Sequence, residues 1–199
     1  ANYFSFNNKP KIIFPIGVNL IKYVKKNDFK LSDPIKLFYT GGPGNVKYFL
    51  KLMKPVLLKL KFNFELIIIS RCRTKIDGLN INYFDFNEDT FFEIMASCDI
   101  GLYRVEDNED GRGKMAMKVL DYMSTGLPSI ISPVGISPHI IDNKHALFAK
   151  NNNEWIKKFE LLIANEGLRT QLGNQSYILI FTNHKIEDSY NHFLKTINL

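Results

Sequence analysis

Apolar and polar positions along this chain follow two periods that take turns. Residues 36–40 (KLFYT) form a short apolar run of strand length. Residues 64–70 (FELIIIS) are nearly continuously apolar, as expected of a parallel strand buried on both faces. Between them Val46, Phe49, Leu50, Met53, Leu57 and Leu60 recur at intervals of three and four, with Lys47, Lys51, Lys54 and Lys61 mostly off that stripe. This spacing predicts a helix over 45–61, kinked or split at Pro55. The alternation continues with a weaker strand at 80–85, a helix at 89–97 and a strand at 99–103. A helix at 114–125 closes on Gly126, a residue suited to a C-cap. Strands follow at 128–132 and 146–149, then helices at 154–165, 166–181 and 186–197.

Strand followed by helix, repeated, predicts an α/β fold: a Rossmann-like doubly wound parallel sheet of about six strands with helices on both faces. Residues 1–33 read as a linker, with a short extended run at 12–17 closed by a turn. Asp33-Pro34 marks the start of the domain, expected to span 34–184, with 185–199 a C-terminal helix. No internal repeat or low-complexity segment interrupts the pattern.

Composition narrows the class. Of the 199 residues, 45% are hydrophobic and 23% charged, which is globular. No apolar run reaches the roughly 18 residues of a membrane span, and no signal-peptide pattern opens the chain. The chain begins with Ala1, and a segment upstream is expected. Cys72 and Cys98 match no zinc or redox spacing and are expected to be reduced and buried, consistent with a cytoplasmic location. The net charge of +6 is uneven: residues 1–61 hold twelve lysines against Asp28 and Asp33, and the remainder is net acidic. Nucleic acid is not the expected partner, since no binding motif or interleaved aromatic platform accompanies the lysines. The reading preferred here is a solvated lysine face, with peripheral attraction to the inner membrane surface as the sharper alternative.

In such a sheet ligands bind beyond the carboxyl ends of the strands. Three loops there carry unusual residues. Gly41-Gly42-Pro43-Gly44 lets backbone approach a ligand, or is simply a tight turn; it is neither a P-loop nor a dinucleotide fingerprint. Arg71 and Arg73 follow the second strand and are either phosphate ligands or ordinary surface arginines. The third stretch, 106–118 (EDNEDGRGKMAMK), runs into the helix that carries Asp121. Gly111 and Gly113 precede its expected N-terminus, and Lys114, Lys118 and Asp121 fall within about 60° of one another on an otherwise apolar helix. That arrangement predicts a lined cleft that accepts an anion, against the alternative of a salt-bridged surface. Asp107 to Asp110 read as solvated loop acids rather than metal ligands. The four histidines show no metal-ligand spacing, and no nucleophile–histidine–acid pattern is present.

At these residues the sequence resembles the retaining family-four glycosyltransferases of the GT-B fold. Residues 114–132, KMAMKVLDYMSTGLPSIIS, resemble that family's donor-site helix and following strand, where two glutamates stand eight residues apart before "GxP". Residues 97–102 resemble the strand before it, 132–142 the loop after it, Trp155 through Arg169 and Gly173 the tail, and 13–18 the linker. The resemblance implies one half of a two-domain GT-B enzyme, with 185–199 packing on a missing N-terminal domain. It implies that a UDP- or GDP-linked sugar is the donor and a glycan or lipid-linked molecule the acceptor, with no metal and no cofactor. Asp121 takes the place of the second glutamate, which holds the ribose. Gly113, Lys114, Met115, Ala116 and Met117 present amides to the diphosphate; Lys114, as the catalytic cation, and Lys118 neutralise it. Gly41 and Gly42 underlie the donor, and the stretch at residues 83–86, represented by Phe84, lies near the base. Two departures stand out. The first glutamate is replaced by Gly113, and the usual Arg-and-Lys pair after the first strand is missing, with Lys47 an approximate substitute and Arg71 a compensating candidate. The alternatives are a nucleotide-sugar epimerase of similar architecture and a noncatalytic nucleotide- or partner-binding domain.

Overall fold

The computed structural model describes residues 17–18 and 23–196. The expected extended run at 12–17 therefore lies, apart from Gly17, outside the described residues. Six parallel strands form one sheet in the order β3-β2-β1-β4-β5-β6: β1 (Ile35–Thr40), β2 (Phe64–Ile69), β3 (Ile81–Phe84), β4 (Ile100–Tyr103), β5 (Ser129–Ile131) and β6 (Leu147–Phe148). Strand order reverses at β1, which pairs with β2 on one side (Phe38 opposite Ile67) and with β4 on the other (Leu37 opposite Ile100). A crevice at the carboxyl ends of β1 and β4 is where such a reversal places a ligand.

Strand periodicity divides the core. Leu37, Tyr39, Leu66, Ile68, Ile100 and Leu102 point to one face, where α1 (Pro43–Leu57) and α5 (Asn152–Ala164) bury Phe49, Met53, Trp155 and Phe159. Phe38, Ile67, Ile69 and Ile131 point to the other, under α2 (Glu88–Ala96), α4 (Met117–Thr125) and part of α6 (Glu166–Asn183). Strands buried on both sides need no polar alternation, which is why FELIIIS reads as an unbroken apolar run.

Two differences between the expected and the observed helices change the local structure. α1 begins two residues early because Pro43 takes the first helical turn, where its missing N–H costs nothing. It passes through Pro55 unsplit, since that proline lies in its last turn, and ends at Leu57 rather than residue 61. The expected helix at 114–125 is also corrected. A one-turn helix, α3 (Glu109–Gly113), precedes it, Lys114 is extended (φ −76°, ψ 141°), and α4 starts only at Met117. Asn108 is the cause: its side chain caps α3 by accepting from the Gly111 amide at 2.8 Å. Ala116, at φ 38°, then turns the chain into α4.

The described part of the linker has no regular structure but is packed down. The Lys26 amide donates to the Thr125 carbonyl at 2.8 Å, and Phe29 is buried. Val18 bridges to Lys185, just before α7 (Ile186–Thr196). Where α4 crosses α6, Gly126 and Gly173 meet so closely that a Cβ on Gly173 would strike Phe29 and the Gly126 carbonyl.

Candidate functional site

A cavity of about 350 Å³ opens at the reversal point, lined by Thr40, Gly41, Asn45, Phe86, Phe91, Tyr103, Lys114, Ala116, Met117, Lys118 and Asp121. Its floor is built by the ends of β1 and β4, and one wall is the opening turn of α4. The amides of Met115, Ala116, Met117 and Lys118 donate to no described residue, and the first internal bond of the turn runs from Val119 to the Ala116 carbonyl. Free N–H groups at a helix start carry partial positive charge.

Lys118 stands half-buried in this wall, its ammonium 5.1 Å from the Tyr39 ring centroid and 5.9 Å from that of Tyr103. It makes no ion pair among the described residues. Burial holds its pKa below the ordinary lysine value, with Lys114 adding to the effect and Asp121 opposing it. Asp121, one turn further on, accepts a hydrogen bond from the Tyr23 hydroxyl at 2.7 Å. Burial raises its carboxyl pKa, against the lowering effects of that bond and of Lys118. The phenol of Tyr23 is pushed upward by burial and by Asp121, so it stays a donor. The site therefore holds an unpaired cation and an anchored carboxylate side by side on a row of free amides.

Of the residues singled out by sequence, Gly41, Lys114, Ala116, Met117, Lys118 and Asp121 line this cavity. Lys114 does so from extended backbone rather than from a helix. Its ammonium is paired with Asp110 at 2.9 Å and lies 5.1 Å from the Tyr48 ring. Gly42, Arg71, Phe84, Gly113 and Met115 are not among the lining residues. Gly42 is the exposed N-cap of α1, with open space where its Cβ would be, and Gly113 is the exposed end of α3. Arg71 is exposed, while Arg73 folds back onto the Ser70 and Cys72 carbonyls and pairs with Asp85 at 2.7 Å. Phe84 is half-buried at the end of β3; Phe86, 64% exposed, reaches the cavity instead. Met115 is 65% exposed at the rim of α4.

Sequence reasoning did not single out Thr40, Asn45, Phe91 and Tyr103 as site residues. Thr40 and Tyr103 close predicted strands, so the rule that ligands sit at strand carboxyl ends was a usable signal for both. The loop acids form internal pairs: Asp107 with Arg112 at 2.6 Å, Asp110 with Lys114, and Glu106 with the Tyr48 hydroxyl at 2.8 Å. Among the described residues no group of three His, Cys, Asp or Glu side chains could hold a metal ion.

The sequence model of the family described as "Glycosyl transferases group 1" matches residues 36–165, well over half of the chain. No curated protein matches it. Among solved structures, the C-terminal domain of a group 1 glycosyl transferase from Francisella tularensis superposes with a TM-score of 0.63 at 16% identity, covering 85% of this chain and 100% of that one. A glycosyltransferase from Rickettsia africae gives 0.72 at 15%, covering 93% and 56%. An Anabaena protein solved with UDP-glucose gives 0.68 at 11%, covering 92% and 56%. The chain thus spans all of the first but little more than half the length of the other two.

Proposed function

This chain belongs to the group 1 glycosyl transferases, and from that premise we propose that it binds a UDP- or GDP-linked sugar in the cavity at the opening of α4 and acts within a two-domain GT-B enzyme. The observation that carries the reading is the meeting of the free α4 amides, the unpaired Lys118 ammonium and the Asp121 carboxylate in one wall. In this reading the diphosphate lies on the amides and Lys118. The ribose hydroxyls donate to the Asp121 oxygen, which Tyr23 holds in place. The exposed ring of Phe86 offers a face to the base. The Anabaena protein's complex with UDP-glucose supports the choice of ligand class.

The chemistry asked of the chain is electrostatic. The bond from the sugar's anomeric carbon to the diphosphate oxygen breaks as an acceptor hydroxyl bonds to that carbon; negative charge collects on the leaving diphosphate, whose freed oxygen takes up the hydroxyl proton. Preorganised donors at that point lower the barrier. Lys118 and the α4 amides fill this role in the proposal, with Lys114 as a second cation once it leaves Asp110. We take the transfer to be metal-independent and retaining, to a glycan or lipid-linked acceptor held mainly by a second domain. α7 fits that arrangement, since Ile186, Tyr190 and Phe193 stand exposed on it.

Calorimetry with UDP, GDP and ADP tests the site. One nucleotide is expected to bind, with affinity falling at least about tenfold in Asp121→Asn as a charge-assisted hydrogen bond is lost. Binding of none by the folded chain favours the noncatalytic alternative and ends this reading.

A further inference from the structure

The proposed reaction leaves one feature unused, the lysine-rich outer face of α1. Lys47, Lys51, Lys54 and Leu58 follow one another at four, three and four residues, which places them within about 60° on the helix surface. All four are exposed, Leu58 at 47%, while Val46, Phe49, Leu50, Met53, Val56 and Leu57 bury the opposite side. Lys59 and Lys61, also exposed, extend the charge past the helix end. No acidic residue occurs in α1, and none of these five lysines forms an ion pair with a described residue. The neighbouring α5 adds no net charge, with Glu154 and Glu160 against Lys157 and Lys158. A helix face whose charges all have one sign is costly for the fold alone, because like charges at i, i+4 repel.

We propose that this face is a docking surface for an anionic lipid bilayer. The match is one of charge and shape. Lysines on a straight exposed stripe reach a flat layer of phosphates together, and Leu58 with the exposed Pro55 offers apolar contact at one end. No aromatic ring stands on the stripe, which leaves nothing to stack on bases and disfavours RNA. The helix begins at the glycine loop that lines the nucleotide cavity, so docking there holds the mouth of the proposed site close to the lipid surface. The inference does not depend on the donor assignment, and its test uses no nucleotide.

The test is co-sedimentation of the 199-residue chain with vesicles of phosphatidylcholine alone and of phosphatidylcholine mixed with phosphatidylglycerol. Binding is expected only to the mixed vesicles and is expected to weaken as salt is added. Each lysine near an anionic surface is worth roughly a fivefold gain in partitioning, so Lys47→Gln/Lys51→Gln/Lys54→Gln should bind about a hundredfold more weakly. Circular dichroism checks that this variant is folded. A control with the same loss of charge on exposed lysines elsewhere, Lys30→Gln/Lys75→Gln/Lys144→Gln, should stay within a few fold of the parent. Equal loss in both variants means net charge alone and overturns the assignment. So does no binding to mixed vesicles at low salt, or preferential capture of single-stranded RNA over the vesicles.

Discussion

Lys118 and Asp121 illustrate what it costs to place charged groups in the wall of a cleft. Each is drawn away from water, and burial shifts each toward its neutral form. For Lys118 the folded pKa lies below the unfolded one, so the folded state holds this proton less tightly than the unfolded chain does. Stability is then reduced at neutral pH and recovers as pH rises through the lowered value. Lys118→Met keeps the packing against Tyr39 and Tyr103 and removes the charge. Its melting temperature at pH 7 should exceed that of the parent by a few degrees, and the gap should close in melts taken toward pH 10. A variant that melts lower at pH 7 contradicts this account. Sequence alone placed Lys118 and Asp121 on one stripe, but it could not see Tyr23, ninety-eight positions away from Asp121, closing the carboxylate.

At the scale of elements, the segment between β4 and α4 decides where the free amides point. The sequence pattern suggested one helix from Lys114, because the lysine and methionine spacing continues through that region. Asn108 and Ala116 break it: the first caps a separate short helix, and the second takes a left-handed turn that periodicity does not report. A β-carbon at φ 38° is strained, at a cost of about 1 kcal/mol. Ala116→Gly should therefore raise the melting temperature by roughly 2–4 °C, read by calorimetry. An unchanged or lower value shows that the turn is not strained. Elsewhere elements were readable where burial is simple. Gly126 was expected to cap its helix and does, at φ 70°. Pro55 was expected to disrupt α1 and only helps to end it, because position within the helix sets a proline's effect.

For the molecule as a whole, what holds the linker, α5 and α6 together is a buried arginine. Arg169 donates to the Phe29 carbonyl at 2.8 Å and to those of Leu162 and Ile163 at 2.6 and 3.1 Å, and Glu166 lies 3.9 Å away. It is the arginine of the tail motif, and here it satisfies backbone rather than ligand. Arg169→Ala leaves two buried carbonyls and one half-buried carbonyl short of a donor and should cost about 2–4 kcal/mol in urea unfolding, with nucleotide affinity per folded molecule unchanged. A variant that unfolds like the parent but loses ligand shows the opposite role.

The order of strands and helices along the chain and the two-sided core were determined by the sequence, because apolar periodicity acts over a few residues. Tertiary structure decided which strand ends face one another, which lysine is free and which is paired, and that Phe86 rather than Phe84 reaches the cavity. Those outcomes depend on contacts between segments distant in the chain, and a free amide or an unpaired charge is defined only by what folding brings beside it.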